Sequence, residues 1–166
     1  MRANMFEKIT ITFGLIVEKL TVVLVGILLV MVFFNVFARY VLKVGIGWAE
    51  EFSMLLFVWV TFLGTYLALR SKSHLALIFL IKKLPSNLKI VSRYLIIILS
   101  LILAVSVFIG GVGFVLNTIN LAQKTPMLGI SAAWAYASIP VSFFLMIMEI
   151  LKAILTNQQI IKIEDN

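Results

Sequence analysis

The chain has 166 residues, of which 63% are hydrophobic and 13% are charged. Soluble domains carry about 25% charged residues, so this composition excludes a soluble globular protein and indicates helices immersed in lipid. The formal charge of +7 does not indicate nucleic-acid binding, because basic residues of membrane proteins collect on the cytoplasmic side; the absence of cysteine excludes disulfides and thiolate catalysis.

The first predicted span covers residues 20–42 and lies within a longer helical pattern. Apolar residues upstream recur at spacings of three and four, which is the periodicity of one helix face: Phe6, Ile9, Phe13, Ile16 and Leu20. We expect a cytoplasmic extension of the same helix, lying along the membrane interface or a neighbouring helix. The second predicted span covers residues 48–70 and has no charged residue from Phe52 to Leu69.

A shorter apolar run follows the second span at residues 75–81. A helix of that length rises about 10 Å, which is too short to cross a bilayer core of about 30 Å. Lys72, His74, Lys82 and Lys83 flank the run. We therefore predict a short helix at about residues 73–84 on the cytoplasmic membrane surface, with its lysines near lipid phosphates.

The third and fourth predicted spans cover residues 90–118 and 131–155. The third continues helically through Asn117, Asn120 and Gln123, and the fourth contains Pro140, which is ordinary in a membrane span. The predicted fold is an all-α membrane protein. Residues 1–166 form a single membrane domain of four transmembrane helices, plus the short cytoplasmic-surface helix between the second and third.

The distribution of basic residues predicts the orientation of these spans. The segment between the second and third spans is rich in Lys and Arg, whereas the loop between the third and fourth has only Lys124. By the positive-inside rule, both termini are then cytoplasmic. In a bacterial inner membrane, the stretch from Asn35 to Leu55 would face the periplasm.

The middles of the four spans lack the groups that catalysis or ion transport needs. Charged residues within a membrane mark proton, ion or substrate pathways, and here the apolar cores contain none except Glu149, which has Lys152 at i+3 as a partner within reach. One histidine, His74, cannot supply paired haem ligands, and we expect no cofactor, no metal site and no enzyme activity. The sequence indicates a subunit of a larger assembly: either a non-catalytic transporter subunit or a membrane anchor or assembly subunit of an unrelated enzyme complex.

Two stretches resemble a known family. The segment RYVLKVGIGWAEEFSMLLFVWVTFLGTYLALRSKSHLAL is similar to the signature of the small membrane subunit of tripartite ATP-independent periplasmic (TRAP) transporters, and KTPMLGISAAWAYASIPVSFFLM resembles a second block of that subunit. A departure is Lys72-Ser73 before the histidine, where a glycine often stands. The resemblance covers roughly residues 15–155. Its residues with an expected partner or interface role are Arg39, Trp48, Glu50, Glu51, Trp59, Arg70, His74, Thr125, Pro126, Trp134 and Pro140.

The resemblance implies a role in sodium-coupled uptake of an organic acid, such as a dicarboxylate, a keto acid or a sialic acid. In this family the small subunit binds a large multi-span membrane subunit, which holds the substrate and sodium sites and moves like an elevator. A soluble periplasmic binding protein delivers the substrate. The small subunit is then a scaffold that widens the stationary part, with membrane lipids as its other contacts.

Glu50 and Glu51 stand at the start of the second span, where negative charge stabilises a helix by about 0.3–1 kcal/mol. One interpretation is structural: the pair caps that helix and forms a salt bridge to Arg39 or Lys43 across the short loop. The other is that at least one carboxylate faces a partner as a docking contact. Neighbouring helical residues point about 100° apart, so both roles can hold together.

Other residues have simpler expected roles. Trp48, Trp134 and Tyr136 fit an aromatic belt at the periplasmic interface; Arg70 and His74 fit lipid phosphate contacts, with helix capping or a large-subunit contact as the alternative. Trp59 lies about mid-span, where its indole N–H requires a partner, so it faces another helix. Small residues favour close helix contacts in lipid; they form two patches, one of Ser106, Gly110, Gly111 and Gly113 and one of Gly64 and Ala68.

Overall fold

The computed structural model describes residues 2–71 and 86–155. Within these ranges the chain forms five helices: α1 (Arg2–Tyr40), α2 (Gly47–Arg70), α3 (Ser86–Asn120), α4 (Ala133–Tyr136) and α5 (Ser138–Leu155). Four stretches are long and apolar enough to cross a membrane, namely Thr10–Tyr40, Gly47–Arg70, Tyr94–Asn120 and Ala133–Ile154. The predicted class of an all-α protein with four membrane-spanning helices is therefore confirmed.

The helices pack in the order α1, α2, α5, α3. α1 contacts α2, α2 contacts α5, and α5 contacts α3, whereas no contact joins the described parts of α1 and α3. The two outer helices are consequently far more exposed. Within its most apolar 18-residue stretch, α1 has 6% of its residues buried and α3 has 11%, against 28% for α2 and 33% for the α4–α5 span.

α1 packs on α2 through a single seam with strict alternation of four- and three-residue steps. The positions of this seam, all buried or half-buried, are Thr10, Gly14, Val17, Thr21, Leu24, Leu28, Met31, Asn35 and Ala38; half-buried Val25, beside Leu24, falls outside the alternation. A repeat of 3.5 residues keeps one stripe facing a partner helix over many turns. The apolar face noted in the sequence lies elsewhere, because Phe13, Ile16 and Leu20 are 57%, 57% and 47% exposed.

The core lies where α2 and α5 meet their neighbours. Leu63, Tyr66 and Ile150 are almost fully buried, and Phe62 of α2 contacts Phe143 of α5 with ring centroids 6.4 Å apart. These contacts supply packing rather than a water-driven hydrophobic gain, because lipid tails are as apolar as the core side chains.

α3 and α5 approach each other closely at Gly111. A Cβ atom at this glycine would lie 2.9 Å from Ile139 Cγ2 and 3.2 Å from Pro140 Cδ. By contrast, a Cβ added to Gly64, Gly110 or Gly113 would meet no described atom within 4 Å. Among the glycines of the two predicted small-residue patches, therefore, Gly111 is the one that makes a close helix contact within the described residues.

The fourth span is interrupted near Pro140. Ala137 separates α4 from α5, and Pro140 falls in the first turn of α5, where a missing backbone N–H is tolerated. Hydrogen bonds from Ala137 N to the Ala133 carbonyl and from Val141 N to the Ala137 carbonyl bridge the interruption. α4 and α5 thus run in the same direction and together form the fourth span.

α3 ends with a Schellman motif. Gln123 N donates to the Thr118 carbonyl and Ala122 N donates to the Ile119 carbonyl, while Ala122 adopts a φ of 48°; these are the two bonds and the left-handed residue that define the motif. Asn117 and Asn120 are therefore helical as predicted, and Gln123 lies just beyond the helix. The predicted surface helix at 73–84, including His74, lies outside the described residues.

Candidate functional site

The two ends of the helix bundle hold the described side chains that the sequence singled out for partner contacts. We call one of them the loop end: it contains the α1–α2 turn (residues 41–46) and the segment between α3 and α4 (residues 121–132). The opposite end, where α2 terminates at Arg70, we call the Arg70 end. Trp59, between them, reaches from α2 to α4.

At the loop end, Arg39 and Glu50 join α1 to α2 across the turn. Arg39 Nη2 donates a hydrogen bond of 2.9 Å to Glu50 Oε2, and the two side chains are 54% and 50% exposed. This is the salt bridge expected across the hairpin. The N-cap of α2 is Ile46, without a side-chain hydrogen bond, so neither glutamate caps the helix through a side-chain hydrogen bond.

Glu51 points to a different element. Residues 123–132 form a small hairpin, held by an antiparallel bridge between Lys124 and Ser131. At its tip, Met127 N and Leu128 N donate to Glu51 Oε2 at 3.1 and 2.6 Å. Backbone amides outside helices need an acceptor when water is excluded, and bonds to a carboxylate are roughly twice as strong as neutral ones. Glu51 therefore anchors the hairpin tip to the start of α2.

Gly47 and Gly129 make this anchoring possible. Met127 lies over Gly47, where a Cβ would be 3.1 Å from Met127 Cε, so the hairpin tip sits directly on the backbone of α2. Gly129 has a φ of 66°, a conformation that glycine adopts without a steric penalty. Thr125 N donates to the Ile130 carbonyl at 2.8 Å and closes the turn.

Four aromatic side chains lie at or towards the loop end: one forms a hydrogen bond, two are exposed and one packs against α3. Trp59 Nε1 donates to the Trp134 carbonyl oxygen at 3.0 Å, so its N–H has the partner inside the bundle that its mid-span position requires. Trp48 and Trp134 are 50% and 68% exposed, as an interfacial aromatic belt or a docking surface requires. Tyr136 packs edge-on against Phe114 of α3, with centroids 4.6 Å apart.

At the Arg70 end, an arginine side chain lies against the backbone of α1. The guanidinium of Arg70 occupies the space where a Cβ of Gly14 would be. Its Nη1 is 3.5 Å from Glu18 Oε2 and its Nη2 donates to the Ile11 carbonyl at 3.4 Å. The Arg70 side chain is only 17% exposed, so its bonding groups are directed at α1; contact with a lipid phosphate stays a prediction.

A second ion pair at the same end is the most buried in the described chain. Lys152 Nζ lies 3.1 Å from Glu149 Oε1, and the two side chains are 9% and 16% exposed. Burying two charges is costly unless they pair, and spacing i, i+3 along α5 brings them together. Nearby, Thr10, Phe13, Tyr66, Phe144 and Met148 enclose an apolar cavity of about 120 Å³ that Glu149 borders.

The described residues contain no group of three or more His, Asp or Glu side chains placed to hold a metal ion. Each carboxylate that reaches into the bundle is instead bonded to an arginine, a lysine or backbone amides. Such an arrangement can hold helices and a loop in fixed positions, and it can present surfaces to other chains.

Comparison with known proteins places this architecture in a family. The family model of the DctQ component of tripartite ATP-independent periplasmic transporters matches residues 28–159. This chain belongs to that family of small TRAP transporter subunits. It is 29% identical over 152 residues to a Haemophilus influenzae protein named as a TRAP transporter small permease protein, covering 89% of this chain and 90% of that protein.

Two further relatives have more specific names. The sialic acid TRAP transporter small permease protein SiaQ of Vibrio cholerae is 31% identical over 140 residues, covering 82% of this chain and 78% of that one. The sialic acid TRAP transporter permease protein SiaT of H. influenzae is 29% identical over 121 residues, which are 72% of this chain but only 19% of SiaT. A TRAP small permease subunit is a transporter component, so the chain is not an enzyme.

Two contacts of this DctQ-family chain could not be predicted from its sequence. The bond between Glu51 and the hairpin tip joins residues 76 and 77 positions apart, and no local periodicity signals such a pair. The fit of Arg70 onto Gly14 was equally hidden, although a glycine within an amphipathic helix is itself a signal that another group approaches the backbone closely.

Proposed function

We propose that this chain is the non-transporting scaffold of a sodium-coupled TRAP transporter. It holds the stationary part of a large multi-span membrane subunit, which carries the sodium and substrate sites. A periplasmic binding protein delivers the organic acid. The chain lies in a bacterial inner membrane with both termini in the cytoplasm, so that the loop end faces the periplasm.

This proposal rests on one observation: the charged side chains within the bundle are paired with other groups of the same chain. The apolar cores of the spans contain no charged residue except Glu149, which is paired with Lys152. A transport pathway needs ionisable or polar groups that are available to a solute near the middle of the membrane. In the described spans the charged groups that reach into the bundle are already paired, so none is available to a solute there, and we infer that the solute crosses through a partner.

The names of the relatives indicate which substrate to test first. Two of them carry sialic acid in their names, and both match most of this chain. We therefore expect an organic acid with a carboxylate, and sialic acid is the first candidate, followed by dicarboxylates and keto acids. The Lys and Arg distribution described above supports the orientation, because basic residues between the second and third spans favour the cytoplasmic side.

Reconstitution of purified components tests the proposal. Vesicles containing the large subunit and this chain, with binding protein outside and an inward sodium gradient, should take up radiolabelled sialic acid. Vesicles lacking this chain should show little uptake, and vesicles containing this chain alone should show none. Uptake by this chain alone would overturn the proposal.

The role of sodium is tested in the same vesicles. Replacing external sodium with potassium at equal ionic strength should abolish uptake if the transporter is sodium-coupled.

Orientation is tested separately by attaching a membrane-impermeant maleimide to single cysteines. Lys43→Cys at the loop end should react in intact spheroplasts, whereas Lys162→Cys should react only after lysis; the opposite labelling pattern would reverse the orientation.

A further inference from the structure

One face of α2 is exposed along nearly its whole length. At 100° per residue, positions spaced three or four apart fall on one side of the helix, and the exposed positions follow that spacing: Glu50, Met54, Phe57, Thr61, Thr65 and Ala68. From Glu50 to Ala68 this face is about 27 Å long, calculated at 1.5 Å per residue. It is therefore long enough to accompany another helix through a bilayer core of about 30 Å.

Two cavities lie along this face, between α2 and α1. The first, of about 550 Å³, is near the loop end and lies between Val32 and Val36 of α1 and Met54 and Phe57 of α2. The second, of about 480 Å³, is at the Arg70 end and is bordered by Glu18, Leu67 and Ala68. Val32, Val36 and Glu18 lie on the same side of α1, because the number of residues between any two of them is close to a whole number of helical turns. We call the two cavities and the α2 face between them the α1–α2 groove.

The middle of the α1–α2 groove is floored by small residues. Thr61, Gly64, Thr65 and Ala68 follow one another there, and among the residues that the structure describes a Cβ added to Gly64 would meet nothing within 4 Å. Both threonine hydroxyls donate to carbonyls of their own helix, Phe57 at 2.8 Å and Thr61 at 2.9 Å. Because these hydroxyl protons are already bonded, the floor is smooth and presents little polarity.

The outer face of α1 differs in residue size. It carries large apolar side chains: Val22, Val23, Val30 and Phe33 are 67%, 57%, 66% and 72% exposed. Helix contacts in membranes are enriched in Gly, Ala, Ser and Thr, which allow two backbones to approach closely. The contrast indicates that lipid covers the outer face of α1, whereas a helix covers the α1–α2 groove.

The ends of the groove disfavour a phospholipid as its occupant. Arg39 is bonded to Glu50 and Arg70 to Glu18, so a lipid phosphate at either end would compete with an existing carboxylate. A protein helix needs no such headgroup contact. In SiaT of H. influenzae the part matched to this chain is 19% of one permease polypeptide, so a much longer permease segment is covalently joined to the equivalent of this chain.

We propose that the α1–α2 groove seats one transmembrane helix of the large membrane subunit. This inference rests on the proposed function and adds to it the face of this chain that makes the contact. The partner helix carries small residues opposite Gly64 and Ala68. Larger apolar side chains fill the 550 Å³ cavity, and the partner presents a hydrogen-bond donor near the half-exposed carboxylate of Glu50.

Two matched glycine variants test the groove. Gly64→Leu places a side chain on its floor, and Gly26→Leu places the same side chain on the outer face of α1; neither Cβ would meet another described atom within 4 Å. Co-expressed with the tagged large subunit, Gly64→Leu should lower the recovered small subunit about tenfold or more, which corresponds to about 1.4 kcal/mol of binding free energy. Gly26→Leu should be recovered like the unchanged chain.

Photocrosslinking locates the contact directly, and the absence of cysteine makes single-cysteine labelling specific. Thr65→Cys carrying a benzophenone should crosslink to the large subunit, whereas labelled Val30→Cys should crosslink chiefly to lipid. Labelled Gly110→Cys, on the exposed side of α3, tests whether the large subunit contacts α3 instead.

The outcomes separate this inference from the proposed function. If the unchanged chain co-purifies with the large subunit but crosslinks come from Gly110→Cys or Val30→Cys and not from Thr65→Cys, the groove is the wrong face and the proposed function stands. Crosslinks from Thr65→Cys to lipid, or to a second copy of this chain, would also overturn the inference. If the unchanged chain fails to co-purify at all, the proposed function itself fails.

Discussion

The loop end and the Arg70 end of this chain are held by different chemistry. At the loop end, the carboxylate of Glu51 binds backbone amides of a hairpin, and the ion pair of Glu50 is half exposed. At the Arg70 end, Lys152 and Glu149 form a pair with little exposure, and Arg70, itself 17% exposed, lies over Gly14 and reaches Glu18, which is 58% exposed.

The difference follows from what each end must hold. A loop has backbone N–H groups without helical partners, and a carboxylate satisfies two of them at once. At the Arg70 end, the described polar contacts run between side chains and from Arg70 to the Ile11 carbonyl. We infer that the loop end fixes a surface for a partner, whereas at the Arg70 end Arg70 fixes α2 against α1.

The largest effect is expected from breaking the buried ion pair at the Arg70 end. Lys152→Met leaves the Glu149 carboxylate unpaired, and removing one partner of a buried pair costs roughly 3–5 kcal/mol. The measurement is the free energy of unfolding of the purified chain, obtained by titrating mixed micelles with SDS. The double variant Glu149→Gln/Lys152→Met should recover most of the loss; a single variant as stable as the unchanged chain would show that the pair contributes nothing.

A smaller loss is expected at the loop end from Glu51→Ala. Two backbone amides lose their charged acceptor; because Met127 at this tip is 68% exposed and the freed amides can bind water, we expect a total loss of about 1.5–3 kcal/mol. Hydrogen exchange measured by mass spectrometry should accelerate at the peptide containing Met127 and Leu128. Glu50→Ala is the control, because it removes a neighbouring carboxylate without touching the hairpin; equal exchange in both variants would contradict the anchoring role.

Gly14→Leu tests the fit of Arg70 onto α1. The new side chain must displace the guanidinium, and overpacking of this kind costs about 1–3 kcal/mol. The arginine is flexible, so the expected value lies at the lower end of that range. Gly26→Leu adds the same side chain to open space in the same helix. Equal unfolding free energies for the two variants would contradict a close approach at Gly14.

The smallest effect is expected from the exposed pair at the loop end. Arg39→Gln should change the free energy of unfolding by about 0–1 kcal/mol, because exposed ion pairs contribute little. Both partners remain solvated when the bond is lost. A loss comparable with that of Lys152→Met would remove the contrast between the two ends.

Residue type and spacing predicted much of the secondary structure. Four long apolar stretches required four spanning helices, because lipid leaves backbone groups no partner outside a helix or a closed barrel. A salt bridge from Arg39 or Lys43 to the glutamates was one interpretation of opposite charges flanking a short turn, and the structure forms it between Arg39 and Glu50. The indole of Trp59 required a partner because no water reaches mid-span, and the Trp134 carbonyl supplies it.

The face of each helix could not be predicted in the same way. The apolar stripe of Phe13, Ile16 and Leu20 indicated a helix lying along the membrane interface or a neighbouring helix, and the side that packs within the chain is the one with Thr10, Gly14 and Thr21. In water the apolar face turns inward, but in lipid both faces are apolar and small residues mark the contact instead. Hydropathy periodicity therefore does not distinguish the packed face of α1 from its lipid-facing side.

The sequence by itself determined that this chain is a membrane protein with four spans and that the middles of those spans lack charged residues. Those properties depend only on composition along the chain. The tertiary structure decided the order α1, α2, α5, α3, the bond from Glu51 to the hairpin tip and the place of Arg70 on Gly14. Each of these joins residues far apart in sequence, and the geometry that brings them together arises only when the helices pack.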